Sequence, residues 1–191
     1  MAVAFCNGLA IFSIFLFKAI LCYLFEVYGK AVEYLATAAR HIGSIIALIS
    51  FGEYKFYDSL ALLAQYPRLG SEAQQQCLEQ ISANQEKMNH WAYHAPMNYQ
   101  HKYDLVEAEK ARVLGDKLAA MELYDRAIAG ANAQQFIQEE ALAYELAARF
   151  YLNWGRAEIA RTYLAKAHNC YIRWGAVLIL PVTSRDRRCA H

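Results

Sequence analysis

The chain has 191 residues, 57% apolar and 19% charged, with a formal net charge of +1. So large an apolar excess excludes intrinsic disorder. The near-neutral balance, with no dominant basic block, excludes nucleic acid as an implied partner. With only 9 glycines and 3 prolines, long stretches run unpunctuated, which favours helices over short strands.

In chain order, the periodicity predicts a first helix from about Leu9 to Phe25. It predicts a second from Tyr28 to His41 and a third from Ser44 to Gln65, with Ile45, Leu48, Ile49, Phe56, Leu60 and Leu63 as its apolar set. "YPRLGS" (66–71) reads as a loop. Ser71 then has the character of an N-cap, with Gln74 completing a capping box. A long helix follows to about Trp91, with Leu78, Ile81, Met88 and Trp91 along one side. "HAPMN" (94–98) breaks it, because Pro96 lacks an N–H and restricts Ala95. Helices are then expected over about 99–113, 117–130, 136–153 and 157–173, with turns at Gly115, Gly130 and Gly155.

The N-terminal segment "MAVAFCNGLAIFSIFLF" is apolar up to Lys18, and "AILCYLF" follows it. No positive region precedes it, as a signal peptide requires. Residues 1–25 approach the length of a membrane span, but Asn7 and Lys18 interrupt them. A buried helix, partnered upstream of or beside this chain, is the preferred reading, and a membrane-anchored helical protein is the alternative. Cys6, Cys22, Cys77, Cys170 and Cys189 are scattered, without metal-ligand or disulfide-scaffold spacing. A reduced, cytoplasmic setting suits them.

The C-terminal half repeats itself. Gly115, Ala120, Tyr124 and Ala127 have counterparts 40 residues later at Gly155, Ala160, Leu164 and Ala167, and Ala108 corresponds to Ala148. "YGKAVEYLATAA" (28–39) is a partial earlier copy, with Ala31 and Ala38 again seven apart. Positions i, i+4 and i+7 share one helix face. Alanines there let two helices approach at the short end of the usual 8–10 Å separation. Self-similarity at this period is the signature of a helical repeat array.

These residues resemble the tetratricopeptide repeat (TPR), which uses small residues at the positions of Ala108 and Ala148, glycine at Gly115 and Gly155, and alanine at Ala120, Ala127, Ala160 and Ala167. The chain departs from that family in its longer period (about 34 residues in the family) and in lacking the closing proline. A second resemblance covers about residues 15–176. Its most specific part is "HAPMNYQHKYDLVEAEKAR" (94–112), and it continues through "IQEEALAYELAARFYLNWG" and "CYIRWGA". It is to large bacterial, typically cyanobacterial, signalling proteins that join a serine/threonine kinase, an AAA-type ATPase, a TPR-like region, a GAF domain and a sensor histidine kinase. The resemblance implies a helical linker between ATPase and sensor modules. After Gly175 the pattern is lost in "AVLILPVTSRDRRCAH", and residues 177–191 are expected to be an aberrant, disordered tail.

Motifs for chemistry are sparse. The sequence contains no phosphate-binding G-x-x-x-x-G-K-[ST], no G-x-G-x-x-G and no kinase catalytic-loop signature. His90 and His94 have helical two-ligand spacing, with His101 and Glu86 near, but two ligands are a weak metal signal and solvent-facing histidines are the blander reading. Glu107–Glu109 and Glu139–Glu140 read as solvated helix faces. The expectation is an all-α, right-handed superhelix of about four TPR-like helix pairs over residues 1–176. It is expected to have no catalytic residue, no cofactor and no metal, and to contact a protein or neighbouring domains of the same polypeptide. A free-standing TPR adaptor and an enzyme with an unrecognised site are the remaining alternatives.

Overall fold

The structure, a computed structural model, describes residues 2–41 and 50–176, with side chains from residue 8 onward. The expected tail at 177–191 and the first residues of the third predicted helix lie outside this range. Among the described residues every regular element is helical: α1 (Ala2–Leu24), α2 (Tyr28–Ala39), α3 (Ser50–Gln65), α4 (Ser71–His94), α5 (Pro96–Leu114), α6 (Lys117–Ala133), α7 (Ile137–Asn153) and α8 (Ala157–Trp174). A short 3-10 turn, Tyr66–Arg68, follows α3. None of these helices is long and apolar enough to cross a membrane.

The helix ends follow local chemistry. Pro96 opens α5 as well as ending α4: its missing N–H is harmless in a first turn, and Ala95 before it leaves the helical region (φ −140°, ψ 66°). α4 therefore reaches His94, and α5 begins three residues earlier than its periodicity implied. Gly115 (φ +85°) and Gly155 (φ +78°) take the left-handed conformation after α5 and α7, which returns orphan carbonyls to hydrogen bonding at no Cβ cost. Asp116 then caps α6, its carboxylate accepting from Ala119 N–H at 3.1 Å.

Two local expectations are corrected. Gly130 does not mark a turn. It lies inside α6, and a Cβ there would stand 3.1 Å from His101 Cβ. Close packing, not backbone freedom, is its reason. The chain turns instead after Ala133, with Gln135 at φ +60°. At α4, Gly70 rather than Ser71 precedes the first turn and accepts from Gln74 N–H. The Gln74 side-chain amide donates to the Tyr66 carbonyl at 3.1 Å.

The chain divides into two compact units at Met88/Asn89, within α4. In the first, α1 buries Phe12, Leu16, Ala19 and Tyr23, and α2 buries Ala31, Leu35 and Ala38. These two helices pack closely as a hairpin, and Phe15 meets Tyr34 across it. α3 is buried nearly all round, and α4 contributes Cys77, Ile81 and Met88. In the second unit the closest pairs are α5–α6 and α7–α8, with α6 against α7.

Candidate functional site

Most of the residues singled out by the repeat are buried. Ala108, Ala120, Tyr124, Ala148 and Ala160 are fully buried, and Ala127 and Ala167 nearly so. Leu164 is half-buried. Gly115 and Gly155 stand at the two hairpin turns. The earlier copy behaves alike, since Ala31 and Ala38 are fully buried in α2. Successively earlier residues of α5 meet successively later residues of α6 (Glu109 with Tyr124, Asp104 with Arg126, His101 with Gly130), so the pair is antiparallel.

A second set of residues was not anticipated. Asp104, Glu109, Glu139, Glu140 and Glu145 are all buried, which overturns the reading of Glu109, Glu139 and Glu140 as a solvated face. Glu109 accepts from Arg112 Nε at 3.0 Å and Nη2 at 2.6 Å, and from the buried Tyr124 hydroxyl on α6. The next hairpin repeats this arrangement. Glu145 accepts from Arg149 at 2.5 Å and from the buried Tyr171 hydroxyl on α8 at 2.5 Å. Each carboxylate thus takes a cation from its own helix and a phenol from the facing one. Charge-assisted bonds of this kind are about twice as strong as neutral ones.

Four further links join helices. Asp104 pairs with Arg126 at 2.7 Å. Burial lifts the Asp104 carboxyl above its ordinary value, with Arg126 pulling it back. Lys102 pairs with Glu139 at 3.0 Å and lies 4.6 Å over the Phe136 ring, so α5 is tied to the start of α7. Glu140 accepts from Asn132 at 2.8 Å. In the first unit, burial raises Asp58, which accepts from Asn84 at 2.8 Å and bridges α3 to α4. These contacts are cross-links between helices, and no nucleophile–base pair is assembled from them.

A sequence signal for this set exists in hindsight. Glu109 follows Leu105 by four residues and Ala108 by one, and so falls on the buried stripe rather than opposite it. Glu107, two residues earlier, is only half-buried. The histidine pair does not build a metal site. His90 and His94 are exposed, their rings 4.8 Å apart, while His101 is buried against Phe136. Among the described residues, no group of three or more His, Cys, Asp or Glu could hold a metal ion.

No protein-family model matches the chain, and no solved structure matches it. Over 47 residues, 24% of its length, it is 47% identical to the hybrid signal transduction histidine kinase G of Dictyostelium discoideum. The matched stretch spans 1% of that protein. Every regular element among the described residues is helical, and a quarter of the chain is similar to a short piece of a signalling kinase.

Proposed function

We propose that this chain is a non-catalytic, TPR-like scaffold or linker segment of a multidomain signalling kinase, acting through contacts with neighbouring domains or a protein partner. The observation that carries the reading is the shared spacing of buried alanines in three hairpins: Ala31/Ala38, Ala120/Ala127 and Ala160/Ala167. Repeated hairpins of this kind stack as a right-handed solenoid whose rigid surface positions other modules. The likeness to a hybrid histidine kinase supports the class of parent protein. The outer face of α1 also fits a segment that packs on something else, since Ile14, Phe17 and Leu21 are each more than half exposed.

A free-standing adaptor is the second reading. It draws on the exposed polar residues of α8, Glu158, Arg161, His168, Asn169 and Arg173, which share that exposure with Ile159, Ile172 and Trp174. Two measurements separate the readings. The coding DNA on either side of the gene is expected to hold a phosphate-loop ATPase frame upstream and a histidine kinase frame downstream. The purified chain is expected to self-associate with rising concentration in sedimentation velocity, and Leu21→Lys to reduce this. Unrelated neighbouring genes together with a clean monomer would refute the linker reading in favour of the adaptor. ATP hydrolysis above the blank would refute both.

A further inference from the structure

The second unit has one edge whose side chains the repeat does not explain. Gly115 turns the chain between α5 and α6, and Gly155 between α7 and α8. Lys117, the first residue of α6, places Nζ 5.4 Å over the ring of Trp154, the residue before Gly155. The two turns therefore lie side by side. Leu114, Leu118, Leu152 and Ile159 all fall within four residues of one glycine or the other, and they are 55%, 70%, 39% and 42% exposed. Apolar side chains scattered singly over a surface need no explanation, but a cluster of them marks a contact site.

Two cations stand in the middle of this edge. Lys117 Nζ and Arg156 Cζ each lie 5.4 Å from the centre of the Trp154 ring, and both residues are exposed. Neither has a carboxylate partner among the described residues, whereas Lys102, Arg112, Arg126, Arg149 and Arg161 each have one. Their placement does not serve the helices either. Lys117 opens α6 and Arg156 immediately precedes α8, and the partial positive charge of a helix N-terminus repels a cation. Asp116 offsets this at α6 by capping it, but no side chain caps α8, and Glu158 in its first turn is bound to Arg161 at 2.7 Å. Local conflicts of this kind are expected where a residue serves something other than the fold.

The charges define what would satisfy the edge. Two cations gathered at one ring suit carboxylates two to four residues apart, about 5–7 Å along an extended chain or one helix turn. Exposed ion pairs add little by themselves. Apolar side chains beside the carboxylates would therefore supply most of the affinity by covering the four exposed aliphatic residues, and the charges would select the partner. A flat anionic membrane fits less well. Asp116 and Glu158 are exposed on the same edge and would be pressed against its headgroups, whereas a peptide can set its carboxylates opposite the cations alone.

We propose that this edge docks an acidic, leucine-rich segment of a partner protein, whose carboxylates meet Lys117 and Arg156 beside Trp154 and whose apolar side chains cover Leu114, Leu118, Leu152 and Ile159. The proposal rests on the reading of the chain as an interaction segment and names the chemistry of what it contacts. Its failure would leave that reading to the neighbouring reading frames and the sedimentation result, neither of which depends on this edge.

The test is fluorescence anisotropy of three capped, fluorescein-labelled octapeptides, LLEELLEE, LLKKLLKK and SSEESSEE, titrated with the full chain. LLEELLEE is expected to bind with a Kd below about 1 mM, and the other two at least tenfold more weakly. The double variant Lys117→Glu/Arg156→Glu is expected to weaken LLEELLEE by about tenfold or more. It is expected to fold, because acidic side chains at a helix start are favourable. Lys30→Glu/Lys87→Glu makes the same change of net charge at exposed positions of the first unit and is expected to leave binding unchanged. Should the first double variant fail to fold, Leu118→Ser, at the most exposed of the four aliphatic positions, decides alone, with a loss of about threefold or more. Vesicles of phosphatidylcholine with about one-third phosphatidylserine test the membrane alternative. No binding of LLEELLEE, equal binding of either other peptide, undiminished binding in the deciding variant, an equal loss in the first-unit control, or vesicle binding that Lys117→Glu/Arg156→Glu abolishes would each overturn the proposal.

Discussion

Tyr124→Phe removes one oxygen from the centre of the second unit and leaves everything else in place. The ring keeps its 5.4 Å contact with Phe150, and Glu109 keeps both bonds from Arg112. What disappears is the donor that α6 extends to a carboxylate only 3% exposed. A hydrogen bond to a charged group is worth about 1.5–3 kcal/mol, and a buried acceptor deprived of one of its donors has little water to replace it. The expected loss is therefore about 2 kcal/mol. Trp91, Trp154 and Trp174, all three tryptophans of the chain, follow Met88, so tryptophan fluorescence reports the unfolding of this unit selectively. With a urea m-value of about 2 kcal/mol/M, the midpoint falls by roughly 1 M. Tyr163→Phe is the control, since its hydroxyl donates at 2.6 Å to Asp125, which is exposed, and it is expected to cost less than about 1 kcal/mol. Tyr171→Phe, which unlinks Glu145, is expected to match Tyr124→Phe. The reasoning fails if Tyr124→Phe moves the midpoint no further than Tyr163→Phe. It fails equally if the double mutant with Glu109→Gln shows no coupling, which neighbours in one network should display.

Three other expectations follow from the same geometry. Ala160→Leu forces extra volume into a fully buried contact of α8 and should cost about 1–3 kcal/mol in urea unfolding. Ala165→Leu, on an exposed position of the same helix, should leave the midpoint nearly unchanged. Gly115→Ala meets no atom within 4 Å, so its cost is purely that of φ +85°, about 1 kcal/mol; thermal denaturation should show the loss. His101 is held well below its unfolded value, by burial and then by Lys102. The unfolded chain therefore binds the extra proton, and the contribution of His101 is present above about pH 6.5 and lost as pH falls towards 3. Asp104, raised by burial, acts in the opposite sense, losing its contribution as pH rises past its folded value. A comparison with His101→Phe isolates the histidine. Between pH 7 and pH 5 wild type should lose about 2 kcal/mol relative to that variant, and parallel pH profiles would refute the assignment.

Helix type and hairpin spacing were legible because they rest on short-range rules. Alanines at i, i+4 and i+7 can only be neighbours on one face, and glycine after a periodic run is a cheap left-handed stop. Ala120, Ala127, Ala160, Ala167, Gly115 and Gly155 could therefore be named from spacing alone; the four alanines are buried and the two glycines have positive φ. Gly130 was misread by the same rule, because a glycine chosen for close packing looks identical to one chosen for its dihedral angles.

What the chain by itself determined is that it is helical, where its turns can fall, and which small residues recur. The tertiary structure decided which charges are buried. Whether Glu109 or Glu145 meets water depends on a tyrosine 15 or 26 residues away on the facing helix, and periodicity carries no term for a distant hydroxyl. The same holds for His101, which is buried beside Phe136, Lys102 and Gly130. Its burial, and the lowered pKa that burial and Lys102 impose, exist only once α5, α6 and the start of α7 are assembled. Local propensity therefore specifies the helices. The polar interior is a property of their pairing, since a buried charge is tolerable only where another helix brings its partner.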